Sequence, residues 1–359
     1  MSKHVLLLVH GMGVHPMDAW AKRVVDKLVD VSKRYDFFNK HPLDTLVEFV
    51  SVNYDHVFDK VLKNWAEDSK KITDFARSIN LPDAASLSWL EQAGQKENKF
   101  FWTSCVDVLL YRFFNVIRND IRINVIKQLE EIIDREITRN SNATPMCSVM
   151  AHSLGTTVAH DCFHLLGTGM AGIPNPYAPD HFKIQNFFMI ANTSNLLHTD
   201  IHPYTNSIVR PGVQSDSHSY CYQYYNFRNE FDPFALTRKF NPSPAWGEGY
   251  HDISINHIHQ VNVHDWLAYL ENPRVHLPIL LSVSWYKAVK VSEQQQAIAE
   301  FPQFKPGGVL TDLGTATTRL DGLKNVLSTG TAAGDLVNGL IKYASELGID
   351  KLSSEAEVS

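Results

Sequence analysis

The chain has 359 residues, 44% hydrophobic and 20% charged, which suits one large α/β domain with insertions or two ordinary domains around an ample core. Its formal charge of −6, from 33 Lys and Arg against 39 Asp and Glu, argues against a nucleic-acid partner, because no cationic excess is available to neutralise phosphate. Cys105, Cys147, Cys162 and Cys221 show no CxxC pairing and sit among apolar residues. They read as small buried hydrophobes rather than zinc ligands or a disulfide framework.

The first predicted element is the apolar run Val5–Val9, ending at "HGMG". Continuous apolarity followed by a glycine turn fits a buried parallel strand. The run is too short to span a bilayer and no small-residue cleavage site follows it, so a cytoplasmic location is the expectation. Residues 17–35 carry Trp20, Val24, Leu28 and Val31 at helical spacing. A second strand is predicted over 45–55. Residues 56–99 are polar and helix-like, as in an insertion, and a long amphipathic stretch follows over 104–137. Further strands are predicted at 147–150, 182–192, 218–227 and 256–263. Strands alternating with helices imply an α/β fold, with a mostly parallel sheet covered on both faces.

Between the 147–150 strand and a helix predicted over Thr156–Leu166 lies "AHSLG", residues 151–155. A serine at such a corner can be a simple helix N-cap. It can also be a nucleophile held on a tight strand-to-helix turn, which needs very small residues two before and two after it. Ala151 and Gly155 occupy those places. A serine hydroxyl attacks a carbonyl only when a base removes its proton and donors receive the oxyanion. One donor would be the amide of Leu154, next after Ser153. The other would come from the "HGMG" turn, from Met12 with Gly13 as runner-up, while His10 shapes the turn.

An acid that orients a catalytic histidine belongs in a loop past a strand end. "NEFDPF", 229–234, offers Asp232 there, with Pro233 holding it out of the helical region; Glu230 and Asp252 compete. The histidine is His264 in "VNVHDWLAYLENP", 261–273, at a strand-to-helix corner where Trp266, Leu267, Tyr269 and Leu270 begin a helix. His251, read as a loop residue, is its runner-up. The chain order is Ser153, Asp232, His264, which is the order of the α/β-hydrolase fold.

With "HGMG", "AHSLG", a "DP" acid loop and "HDWLAYL", the chain resembles the α/β-hydrolase superfamily over about residues 3–290, and within it the lipase-like serine esterases. The resemblance implies a catalytic domain over 1–300, with 56–99 and 192–217 as cap insertions. It implies hydrolysis of a small-molecule or lipid ester through an acyl-enzyme, with neither metal nor organic cofactor. A thioesterase, amidase or acyltransferase on the same three residues remains open, as does a binding protein that keeps the fold without the chemistry. Ala151, where glycine is commoner, and the region 301–359 depart from the pattern. That region is rich in Gly, Thr and Ala, with Leu336, Leu340, Tyr343 and Leu347 on one face of a short helix. The face suits docking on its own domain, a homo-oligomer contact or peripheral membrane contact.

Overall fold

The computed structural model describes residues 3–11, 19–60, 111, 115–139, 146–170, 172–197, 200–213, 215–230, 232, 239–242, 244–256, 264–284 and 289–301. The chain divides into two units: one of 1–11, 16–53 and 122–308, the other of 12–15, 54–121 and 309–359. In the described part of the second unit, Tyr54 and Phe58 pack edge to face at 6.0 Å, and Arg118 donates to the Tyr111 carbonyl at 3.2 Å.

The first unit is built on a sheet of six described strands: β1 (His4–Val9), β2 (Val47–Val52), β3 (Cys147–His152), β4 (Ile184–Ile190), β5 (Cys221–Asn229) and β6 (Tyr250–Ile255). They lie in the order β2-β1-β3-β4-β5-β6, and every neighbouring pair is parallel. All six residues of β1 and of β3 are buried. That is the burial expected of central parallel strands, and it explains why Val5–Val9 of β1 reads as an unbroken apolar run.

Side chains alternate across the strands, and each face has its own cover. Leu6, Leu8, Met150, Phe188, Ile190, Tyr225 and Phe227 join one core. Its cover is α1 (Ala19–Ser32), α7 (Trp266–Glu271) and α8 (Pro273–Val283), through Trp20, Val24, Leu28, Trp266, Leu270 and Leu277. The other face carries α5 (Leu154–Thr168), whose Phe163 meets Phe187 of β4 edge to face at 5.2 Å. Against α5 lies the later part of α4 (Asn115–Arg139). There the buried Arg122 guanidinium donates to Asp161 at 2.7 Å and to Asp200 at 2.8 Å. Shorter helices are α2 (Asp36–Lys40), α3 (Leu43–Leu46), α6 (Ser194–Leu197) and α9 (Val291–Glu300).

One strand of the sheet lies outside the predicted ones. Residues 250–255, "YHDISI", form the strand that closes the described sheet, whereas a strand was expected at 256–263; of that range only Asn256 is described, just past β6. His251 is therefore a strand residue and not a loop residue, with Nε2 2.6 Å from Gln223 Oε1. A strand that pairs, among the described residues, with β5 alone has a half-open environment there and tolerates polar side chains, so its apolar signal is weak. Residues 61–99 of the expected insertion and 302–359 of the C-terminal region lie outside the described residues. Among the described residues no helix is long and apolar enough to cross a membrane.

Candidate active site

The strand order places a topological switch between β1 and β3: the chain runs outward from β1 to β2, then returns past β1 to begin the other half of the sheet. In open parallel sheets the crevice beyond the strand C-termini at such a switch is where ligands are received. His10 and Gly11 follow β1 there, and Ser153 follows β3.

Ser153 has φ 54° and ψ −127°, a left-handed backbone that costs a residue bearing Cβ about 1–3 kcal/mol. The surroundings hold it there. Its N–H donates to the Ile190 carbonyl at 3.0 Å. Its own carbonyl accepts from the Thr156 amide at 2.9 Å, from Thr156 Oγ1 at 2.6 Å and from Thr193 Oγ1 at 2.8 Å. Two glycines permit the corner. A Cβ on Gly155 would lie 2.1 Å from the His10 carbonyl oxygen, and one on Gly11 would lie 2.9 Å from Ser153 Cβ. Ala151, by contrast, is accommodated without exposure.

Ser153 stands at the N-cap of α5, yet its side chain makes no capping bond. Its Oγ is 2.7 Å from His264 Nε2. His264 Nδ1 is 2.8 Å from Asp232 Oδ2. The same Oδ2 lies 2.8 Å from the Tyr269 hydroxyl, and that hydroxyl lies 2.9 Å from the Asn229 amide nitrogen.

The direction of each bond follows from one end. A backbone N–H can only donate and a carboxylate only accepts. The Tyr269 oxygen therefore accepts from Asn229 and gives its proton to Asp232. Burial first, and the Asp232 charge beside it, push the Tyr269 phenol well above its ordinary pKa, so it stays a neutral donor. His264 Nδ1 must likewise donate to Asp232. In the neutral ring that leaves Nε2 as an acceptor facing the Ser153 hydroxyl. Asp232 is fully buried, Ser153 is 1% exposed and His264 6% exposed, so these bonds operate in a low-dielectric setting where charge interactions are strong.

The competing acids are elsewhere. Glu230 is exposed and accepts from Ser254 Oγ at 2.9 Å. Asp252 accepts from Asn226 at 2.8 Å and from Arg228 Nε at 3.2 Å. His10 keeps its turn role, with Nδ1 donating to the Gly11 carbonyl at 2.8 Å. The Leu154 amide opens α5 and, as the first amide of a helix, has no carbonyl one turn behind it. Met12 and Gly13 lie outside the described residues. Among the described residues no group of His, Cys, Asp and Glu is arranged to hold a metal ion.

No family model, curated protein or solved structure matches the chain.

Several residues that hold this arrangement have no role assigned to them by the sequence. His152 Nε2–H donates to the His264 carbonyl at 2.7 Å. Its ring stacks on Trp266 at 5.3 Å, and Trp266 stacks on Trp20 at 5.6 Å. One aromatic column thus backs the His264 corner from β3, α7 and α1. Thr193, just after β4, and Tyr269, also on α7, add to the arrangement. In the sequence Tyr269 reads only as an apolar position on a helix. The aromatics Tyr220 and Trp246 are buried in ring packing: Tyr220 lies 6.0 Å from Phe163, and Trp246 lies 5.1 Å from Tyr224.

Proposed function

We propose that the chain is a serine hydrolase of the α/β-hydrolase kind that cleaves a carboxylic ester through an acyl-enzyme. One observation carries the reading: Ser153, His264 and Asp232 form a directed hydrogen-bond relay on a strained corner at the switch point of a parallel sheet. The strain supports it further, since a left-handed serine clamped by three donors is costly for a mere helix cap.

In this mechanism Ser153 Oγ attacks the ester carbonyl carbon while its proton passes to His264 Nε2. Asp232 holds the Nδ1 proton in place and stabilises the imidazolium. The Leu154 amide receives the oxyanion; the second donor expected from the sequence, Met12 or else Gly13, lies outside the described residues. The imidazolium then protonates the leaving alcohol as the tetrahedral intermediate collapses. A water molecule, deprotonated by His264, releases the acid and restores Ser153. No step calls on a metal or an organic cofactor.

The test is hydrolysis of p-nitrophenyl esters from acetate to palmitate by wild type and Ser153→Ala, with labelling by a fluorophosphonate. Loss of turnover and of labelling in the variant is expected. Equal turnover by both proteins would overturn the reading. Esters, thioesters and amides of one acyl group, compared side by side, then rank the leaving groups.

A further inference from the structure

Two donors converge on one oxygen of Asp232. His264 Nδ1 reaches Oδ2 at 2.8 Å, and the Tyr269 hydroxyl reaches the same Oδ2, also at 2.8 Å. Both donors come from one short element and its entry. His264 precedes α7, Asp265 caps it by accepting from the Leu267 amide at 3.0 Å, and Tyr269 lies one turn in. The cap fixes where the helix starts, and so fixes the distance between the two donors. Tyr269 is in turn anchored to the opposite side of the acid loop, since its oxygen accepts from Asn229 N–H at 2.9 Å. The Asp232 amide closes a turn on the Asn229 carbonyl at 3.1 Å. Asn229 thus ties both the backbone and, through Tyr269, the carboxylate of Asp232.

We propose that Tyr269 is a positioning residue for the hydrolase, fixing the plane of the Asp232 carboxylate so that Oδ2 stays in line with His264 Nδ1. The inference rests on the serine-hydrolase reading above. A carboxylate oxygen has two lone pairs, and the tyrosine occupies one while the histidine occupies the other. This has two effects. The carboxylate cannot turn about its Cβ–Cγ bond without breaking a buried bond to the tyrosine. Charge drawn from Oδ2 toward the phenol also leaves the Nδ1 proton on the imidazole, so the proton gained at Nε2 from Ser153 is the one delivered to the leaving group. Hydrogen bonds in a chain polarise one another, and here two donor chains, Asn229 to Tyr269 and Ser153 to His264, converge on the Asp232 carboxylate from opposite sides.

A purely structural role for Tyr269 would require only its burial and its bond to Asn229. The test therefore reads the reaction centre and not the fold alone. Fluorophosphonate labelling of Ser153 is timed for wild type and Tyr269→Phe, normalised to folded protein, and the His264 Nδ1–H signal is followed by proton NMR. The expected result is labelling slowed about tenfold to a hundredfold, short of the ~10⁴-fold loss that follows removal of the acid's function in such a relay, with the Nδ1–H signal broadened by exchange with water. Unchanged labelling and an unchanged signal, with only a lower unfolding temperature, would overturn the proposal. If Tyr269→Phe does not fold, a fluorinated tyrosine in place of Tyr269 keeps the shape and strengthens the donor. The Nδ1–H signal then moves upfield; no movement would overturn the proposal. Wild type that is itself unlabelled at Ser153 would instead remove the hydrolase reading, which separates the two failures.

Discussion

Gly155 and His10 meet backbone to backbone: a Cβ on Gly155 would stand 2.1 Å from the His10 carbonyl oxygen and 2.6 Å from that of Val9. The start of α5 is thereby pressed onto the end of β1, which sets the height of Ser153 above the sheet. Neither partner is a side-chain tip that can swing aside. Gly155→Ala is expected to destabilise the protein by about 3 kcal/mol, at the upper end for overpacking. It should also cut fluorophosphonate labelling in whatever protein remains folded. Denaturant unfolding and timed labelling check the two parts separately, and a neutral substitution would mean that the corner is looser than this contact requires.

The three donors on the Ser153 carbonyl carry a second prediction. Thr193 Oγ1 reaches that oxygen at 2.8 Å and also lies 3.1 Å from Thr157 Oγ1. Thr193→Val keeps the shape and removes the hydroxyl, leaving buried groups short of a partner at a cost of about 1–3 kcal/mol. Because the lost bond holds Ser153 at positive φ, labelling should slow several-fold, and Thr193→Ser should restore most of it. Loss of stability without any change in labelling would assign Thr193 to the fold alone.

Three acids near the ends of β5 and β6 separate cleanly by partner. Asp232 is fully buried against His264, Glu230 is on Ser254, and Asp252 is on Asn226 and Arg228. Asp232→Asn is expected to lower labelling and ester turnover by roughly 10⁴-fold, by leaving the imidazole in the wrong tautomer. Glu230→Gln and Asp252→Asn should stay within about twofold of wild type, with stability changes of about 1 kcal/mol or less, as for exposed pairs. A large loss in either of the latter variants would reopen the assignment of the acid.

What could be read from the sequence follows from how locally each feature is encoded. β1 is buried on both faces, so its unbroken apolar run Val5–Val9 was unambiguous, and β3 showed as the short stretch leading into the serine corner. Ser153 and His264 were legible because a small-residue corner and an isolated histidine before a helix each have a local signature. β6 was not, since Tyr250, His251, Asp252 and Ser254 are not fully buried and dilute the alternation of Ile253 and Ile255. The choice of Asp232 over Glu230 and Asp252 rested in the sequence on Pro233 alone, and the tertiary structure supplies the stronger reason, since of the three it is Asp232 that is buried against His264. Tyr269, Thr193 and His152 act across 37 or more residues of chain, as Tyr269 to Asp232 spans 37, Thr193 to Ser153 spans 40 and His152 to the His264 carbonyl spans 112. No short pattern encodes such partnerships.

Two histidines far from the relay set an acid limit to stability. His276 is fully buried; its Nδ1–H donates to the Leu270 carbonyl at 2.8 Å, and its Nε2 accepts from the Tyr35 hydroxyl, with 2.6 Å between them. Both ring nitrogens are thus satisfied in the neutral form. Burial holds its pKa at about 4, below the ordinary 6.5, with Arg34 and Lys27 pushing the same way and Leu270 and Glu271 opposing. Burial likewise lowers His4, on β1 with its Nε2 against Ser148 Oγ of β3, to about 4. The sign is that of a depressed base: between pH 6.5 and 4 the unfolded chain holds protons on these rings that the folded chain refuses. Their contribution is complete above pH 6.5 and is lost as pH falls toward 4, where the folded protein begins to take up the same protons. Each shift corresponds to about 3 kcal/mol across that window. Unfolding free energy measured in urea at a series of pH values should therefore fall on acidification with a slope approaching ~2.7 kcal/mol per pH unit from the two rings together. In His276→Gln, whatever its absolute stability, about half of that slope should disappear. An unchanged slope would mean that the buried imidazole is protonated in the folded state, with the Tyr35 hydroxyl turned to accept from Nε2–H.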